Sequence, residues 1–320
     1  MTVSPERPPA YPLQPQQDPY HKLLEVHLNT VLSCQTTVNA AHGCWDTLFR
    51  VDDQAGHNRF QVPAAISTFS AFVTHADSKK YLVPFLSLVA TILGTHTMDE
   101  ELLEFLYSCC NELEKSPEAG YPASAFYQYL LAFSIDDEAM IVHHGNRLQD
   151  AVSFMTHLYG QSNVSVVAGR NFLMWHRMYT DTFATSMLKS ELKDCIVLAQ
   201  KTHGRDHLLV VNSLALLGRL LQERGRYSQA AEAFTDAIGR LEGCPKLLQA
   251  YKLELYQRLA TVQYTVGLAG RSALCLLDVF NGRIQILGHD HSYTSGALQQ
   301  LRNQLNESEK SDSTLGRDDS

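Results

Sequence analysis

The chain has little with which to hold a nucleic acid, a membrane or a disulfide framework. Its 320 residues carry 26 Lys and Arg against 34 Asp and Glu, a formal net charge of −8. Phosphate binding is driven by clustered cations, and no Lys/Arg cluster stands out, so nucleic acid is not expected as a partner. Long hydrophobic runs are missing too. The most apolar stretch, Tyr81–Gly94, is about 14 residues long and contains Pro84, whereas a membrane-spanning helix takes about 20. It is expected to be a buried core helix, and no membrane partner is expected. Seven cysteines, an odd number without C-x-x-C spacing, fit reduced thiols better than disulfide bridges. The N-terminus lacks the apolar core of a signal peptide. These absences place the protein in the cytoplasm, with the nucleus also open.

Enzyme signatures are absent as well. There is no G-x-S-x-G elbow, no P-loop and no G-x-G-x-x-G turn, so no catalytic residue and no cofactor is expected. Fourteen histidines and the pair His143-His144 raise the question of a metal. Adjacent residues on a helix point about 100° apart, while helical metal sites use His at i, i+4. No H-E-x-x-H occurs. No metal site is expected unless His143, His157 or His176 converge on a carboxylate.

Strand signals are scarce. Asn163–Val167 (NVSVV) is the one β-prone run of note, expected to be a short connector, and the fold class is therefore all-α. Residues 1–19 hold six of the eleven prolines and should form a disordered or polyproline II tail. A helical N-terminal region is expected over 20–160. Its helices begin with one from Tyr20 toward Leu48, followed by a polar loop at Asp52–Asn58. Further helices are expected at Val62–His75, Ser78–Leu93, Asp99–Lys115, Ala123–Phe133 and Asp136–Tyr159, with a break at Ser116–Pro122. Asp136 and Asp137 suit a helix N-terminus. Residues 306–320, rich in Ser, Asp and Glu, have little to bury and should be disordered.

Residues 161–305 carry the informative pattern. From Gly204 to Leu241 the sequence describes an antiparallel helix pair. Leu214, Leu217 and Leu221 form one stripe at i, i+3, i+7. Gly218 beside that stripe removes a side chain where a neighbour would press in. Gly225 is placed to end the first helix in a left-handed conformation. Ala230, Phe234, Ala237 and Leu241 face inward from the second helix, and Phe234 is placed to fill the gap beside Gly218. Asp206 is expected to cap the first helix. Gly288-His289-Asp290-His291 echoes Gly204-Arg205-Asp206-His207 after 84 residues, twice 42. A fixed period of helix pairs is the sign of an α-solenoid. Between the two lead-ins, Leu259-Ala260, Gly267, Ser272, Leu276 and Val279 stand at offsets equivalent to those of the first pair. Asn171–His203 has the length of a further pair. His207 and His291 are expected to stabilise the loops that precede the pairs.

Leu217-Gly218, Ala230, Phe234 and Ala237 resemble the tetratricopeptide repeat signature. The G-x-D-H lead-in at a 42-residue spacing resembles the longer repeats of the kinesin light chain group. The resemblance implies a short superhelix of two or three hairpins. It also implies non-catalytic protein–protein interaction, as an adaptor or regulatory subunit, with another protein or peptide on the concave face of the first helices. There the exposed positions would be Asn212, Arg219, Gln222 and Glu223, followed by Gln257, Thr261 and Tyr264. Kinesin light chains commonly have Asn before the Leu-Ala pair; here Leu216 and Arg258 stand in that place. The rival readings are a structural subunit buried in a larger assembly and a histidine-based metal protein or enzyme. Separately, Pro8-Pro9-Ala10-Tyr11 resembles the P-P-x-Y ligand of WW domains, which read polyproline II. Pro8, Pro9 and Tyr11 are thus a second candidate contact.

Overall fold

The computed structural model describes residues 49–52, 57–60, 82–83, 86, 99–115, 122–135, 137–180, 184–242, 248–289 and 292–315. The tail at 1–19, the helices expected at Tyr20–Leu48 and Val62–His75, and most of Ser78–Leu93 lie outside the described residues. Leu82, Val83 and Leu86 of that last segment are buried.

The described chain is helical apart from one hairpin. Strands β1 (Phe49–Asp52) and β2 (His57–Phe60) pair antiparallel, Phe49 opposite Phe60 and Asp52 opposite His57. Asp52, His57 and Asn58 therefore belong to strands rather than to the polar loop expected there. Ten helices follow. They are α1 (Asp99–Lys115), α2 (Ala123–Ser134), α3 (Glu138–Tyr159), α4 (Val164–Tyr179), α5 (Thr185–His203), α6 (Leu208–Glu223), α7 (Tyr227–Arg240), α8 (Gln249–Thr265), α9 (Ala269–Leu287) and α10 (Ser292–Leu315). Consecutive helices from α2 onward pack against one another, and α4 also lies against α6. One buried cluster runs without interruption from Leu82 to Val262.

The ends of the helices follow from single residues. α3 begins on Asp137, whose carboxylate accepts the Met140 N–H at 3.0 Å. Asn163–Val167 is no extended connector: Asn163 caps α4, its side chain accepting from the Ser165 N–H at 2.9 Å, and Val164–Val167 form the first turn. The amide's capping strength outweighs the β preference of the valines, three of which bury or half-bury against neighbouring helices. α6 is capped by His207 rather than Asp206. The buried His207 Nδ1 accepts the Leu209 N–H at 3.2 Å. α10 extends to Leu315, past the point where a disordered tail was expected from Asn306. Residues 307–315 contain neither Pro nor Gly, so nothing in the backbone stops the helix.

The period of 42 is visible as geometry. Gly225 and Gly267, 42 residues apart, both end a first helix with positive φ, +69° and +81°. Gly204 and Gly288, 84 apart, end second helices and open the lead-ins, with φ of +101° and +86°. Asn171 of α4 and Ser213 of α6, also 42 apart, occupy equivalent positions on adjacent first helices and meet in a buried hydrogen bond of 2.9 Å. Gly218 is packed as the sequence suggests. A Cβ there would lie 2.7–2.9 Å from three ring carbons of the fully buried Phe234. Ala260 takes the equivalent place in α8 and is buried. In α10 that place is held by the exposed Arg302, and no second helix follows among the described residues.

Candidate functional site

The first helices of successive pairs, α4, α6, α8 and α10, share one side of the array. The seam between α6 and α8 holds most of the charge expected to contact a partner. Arg219 is half-buried in α6. Burial, and then the like charge of Arg258, holds its guanidinium below its ordinary pKa, against the opposing pull of Glu223, Tyr251 and Glu254. Its electrostatic neighbours Tyr251, Glu254 and Arg258 all belong to α8, so Arg219 stands on the side of α6 nearer to that helix. Gln222 is half-buried one turn on, and Glu223 is exposed at the end of α6. Asn212 is half-buried, with its Oδ1 shielded from solvent.

On α8 the expected residues divide. Thr261 is exposed, its hydroxyl donating to the Gln257 carbonyl at 3.1 Å, and Tyr264 is half-buried. Gln257 is committed internally. Its Oε1 accepts from Arg283 Nη2 at 2.7 Å, and its Nε2 donates to Gln300 Oε1 at 3.1 Å. It therefore ties α8 to α9 and α10, and is less available to a ligand than its helical position suggests. Pro8, Pro9 and Tyr11 lie outside the described residues.

Glu254 and Arg283 join the seam without having been singled out in the sequence, and Arg258, noted there only for standing in place of an Asn, joins it as well. Glu254 pairs with Arg258 at 2.9 Å and lies 3.9 Å from Arg283. Arg283 also donates to the Tyr293 carbonyl at 3.0 Å, with its guanidinium 5.3 Å from the Tyr293 ring. The i, i+4 spacing of Glu254 and Arg258 was a legible signal. The arrival of Arg219 and Arg283 from other helices was not. The seam thus presents three guanidiniums against two carboxylates in a chain whose net charge is −8, and two of those guanidiniums are partly shielded from water.

The histidines do not converge. His143 and His157 are exposed, whereas His176 is buried. Among the described residues, no group of three or more His, Cys, Asp or Glu could hold a metal ion. The cysteines described, Cys109, Cys110, Cys195 and Cys275, are free thiols. Burial raises all four above the ordinary thiol range, Cys110 and Cys195 to about 11. Such thiols are poor nucleophiles at neutral pH. No described helix is long and apolar enough to cross a membrane.

The match to a family model agrees with the helix-pair geometry. Residues 190–242 match the tetratricopeptide repeat family model. That segment spans most of α5 and the whole α6–α7 pair with its Gly218–Phe234 contact. Among solved structures, the chain is similar to the TPR-like repeats of a Podosopora anserina kinesin-light-chain-type protein in its Q17M form. Identity is 14%, coverage is 71% of this chain and 98% of that one, and the TM-score is 0.42. A second structure of those repeats gives 14% identity, 61% and 95% coverage, and a TM-score of 0.43. No curated protein matches the chain. The helix pairs and the glycines recurring at 42 residues agree with the family match, and residues 190–242 are a tetratricopeptide-type repeat segment.

Proposed function

We propose that the protein is a non-catalytic binding module, an adaptor or regulatory subunit, that takes a protein or peptide segment along the α6–α8 seam. One observation carries the reading. Arg219 stands half-buried in α6, with Gln222, Thr261 and Tyr264 also left half-buried or exposed, and removing a guanidinium from water costs stability unless a partner offsets it. Arg219, Gln222, Glu223, Thr261 and Tyr264 would read the partner, with Glu254 and Arg258 setting the local charge. Gln257 would act through Arg283 and Gln300 rather than by touching the ligand. The P-P-A-Y segment at Pro8–Tyr11 would offer WW domains a separate site on the same chain.

Affinity capture with intact protein, Arg219→Glu/Tyr264→Ala and Pro9→Ala/Tyr11→Ala separates these surfaces. The seam variant should lose its partner by at least tenfold while its melting temperature stays within about 2 °C of the parent. Retention of every partner by a folded seam variant would remove the seam from the function. Loss confined to the tail variant would move recognition to the proline segment.

A second reading, a structural subunit of a larger assembly, is favoured by the outer face of α3. Met140, Phe154 and Leu158 fall on one side of α3 and are each more than a third exposed, with Ile135 exposed just ahead of the helix. An apolar face of that kind marks an interaction surface. Co-purification in a fixed-stoichiometry complex, abolished by Phe154→Asp/Leu158→Asp and indifferent to Arg219→Glu, would select this reading.

A further inference from the structure

Close helix crossings in this array are keyed by glycine notches. Besides Gly218, which receives Phe234, Gly169 of α4 receives Met155 and Phe126, and Gly282 of α9 receives Leu253. A Cβ at Gly169 would lie 2.8 Å from Met155 Cε, and one at Gly282 would lie 2.6 Å from Leu253 Cδ2. Those keys are apolar and indifferent to pH. The fourth notch differs. Gly145, in the middle of α3, receives the imidazole of His176 from the last turn of α4, and all three ring atoms nearest it would overlap a Cβ there.

His176 is 6% exposed, and its Nδ1 is buried without a hydrogen-bond partner. Tyr129 of α2 stands edge-on to the ring at 5.3 Å. Three elements surround the imidazole, and none offers it a carboxylate. α2 contributes the Tyr129 phenol, and α3 contributes the Gly145 backbone flanked by His144. α4 contributes Arg177, which is itself bonded to Glu191 of α5 at 2.8 Å and to Gln149 of α3. An imidazolium carries an N–H on both nitrogens. At Nδ1 that proton would have no acceptor, and the charge would face Arg177.

We propose that the His176–Gly145 contact is an acid-labile joint between the N-terminal helices and the repeat array. Protonation of the imidazole expels it from the notch and loosens the Gly145–His176 end of the α3–α4 crossing, while the Gly169–Met155 key at its other end and the apolar keys beyond α4 stay seated. Burial, and then Arg177, hold His176 below the ordinary histidine range in the closed joint, in keeping with this direction. The closed form binds the proton less well than the open form. Closure is therefore complete above the open-state pKa near 6.5 and weakens as the pH falls below it. The joint does not depend on which partner occupies the α6–α8 seam.

Hydrogen exchange on the full chain between pH 7.5 and 5.0, corrected for the intrinsic rate, tests this. Amides around Gly145 in α3 and around His176 in α4 should open more readily as the pH falls, by up to about tenfold per pH unit below 6.5. Protection in α8 and α9 should change by less than threefold. His176→Phe and the smaller His176→Gln should each flatten the pH dependence at α3 and α4. If the phenylalanine variant does not fold, the glutamine variant carries the same test. A pH response at α3 and α4 that persists in the folded variant would overturn the joint, as would its absence in the parent protein. Loss of protection spread equally over α8 and α9 would also overturn it, since the array would then be unfolding as one.

Discussion

Replacing Gly218 tests the helix-pair packing at a contact where a glycine receives a fully buried aromatic ring. The ring carbons of Phe234 lie 2.7–2.9 Å from where a Cβ would stand, against a comfortable carbon–carbon separation of about 3.5–4.0 Å. The ring must yield by nearly 1 Å, yet Phe234 is fully buried within the cluster that also holds Ala230 and Ala237. Two terms compete. Alanine gains about 1 kcal/mol over glycine in a helix interior, while overpacking costs about 1–3 kcal/mol. Gly218→Ala should therefore come out between neutral and about 2 kcal/mol destabilising. Gly218→Leu adds bulk in the same place and should sit at or above the top of the overpacking range, which lowers the melting temperature by about 6 °C or more for a domain of this size. Gly296→Ala is the control. It lies in α10, with nothing within 4 Å of its Cβ position, and should stabilise by about 0.5–1 kcal/mol. The assay is urea unfolding followed by circular dichroism, with unchanged slope required for the comparison. Phe234→Leu in the Gly218→Leu background should recover part of the loss. Equal stability of Gly218→Leu and the parent, or no recovery in the double variant, would show that the ring does not seat against that glycine.

Two further predictions concern stability. His207 is buried as a helix cap, and burial lowers its pKa to about 3 from an ordinary 6.5. The unfolded chain thus takes up a proton below pH 6.5 that the native chain refuses. Stability should fall from pH 6.5 toward 3, and His207→Asn, which keeps an acceptor for the Leu209 N–H, should reduce that slope by up to about 1.4 kcal/mol per pH unit; an unaltered slope in thermal unfolding would refute the assignment. Ser272 Oγ sits 2.7 Å from both the Ala260 carbonyl and Gln304 Oε1. Ser272→Ala removes the buried hydroxyl that serves the Ala260 carbonyl and Gln304 Oε1 and should cost about 1–3 kcal/mol, whereas a denaturation midpoint equal to the parent's would mean that the hydroxyl adds nothing net to stability.

Legibility in the sequence varied with the kind of residue. Gly218, Gly225 and Phe234 announced their roles because glycine and a bulky aromatic have few reasons to recur at such offsets. Gly225 indeed takes positive φ, and Gly218 indeed faces the ring. The α1 range, Asp99–Lys115, followed from its periodicity and its flanking breaks. Capping was harder to read. Asp206 and His207 are adjacent acceptors, and which one turns inward depends on the packing behind it: His203 stacks near His207, ring centroids 4.9 Å apart. The β1–β2 hairpin escaped notice because two four-residue strands offer too few alternations to stand out. At the α6–α8 seam, the periodicity placed Arg219 and Thr261 on one side. It could not reveal that Gln257 is spent on Arg283 and Gln300, because those contacts are 26 and 43 residues away in sequence.

Arg302 bears on how such a chain can grow. It stands in α10 at the position that Gly218 fills in α6 and Ala260 in α8, the place where a small residue admits the second helix of a pair. A guanidinium there leaves no seat for another helix. A 42-residue unit copied onto the end of α10 would therefore meet a surface that rejects it. The same unit inserted ahead of Ser292 would bring its own small residue to receive its own second helix and leave Arg302 undisturbed. Lengthening by duplication, in evolution or by design, would then meet less resistance in the interior of the array than directly beyond Arg302 of α10.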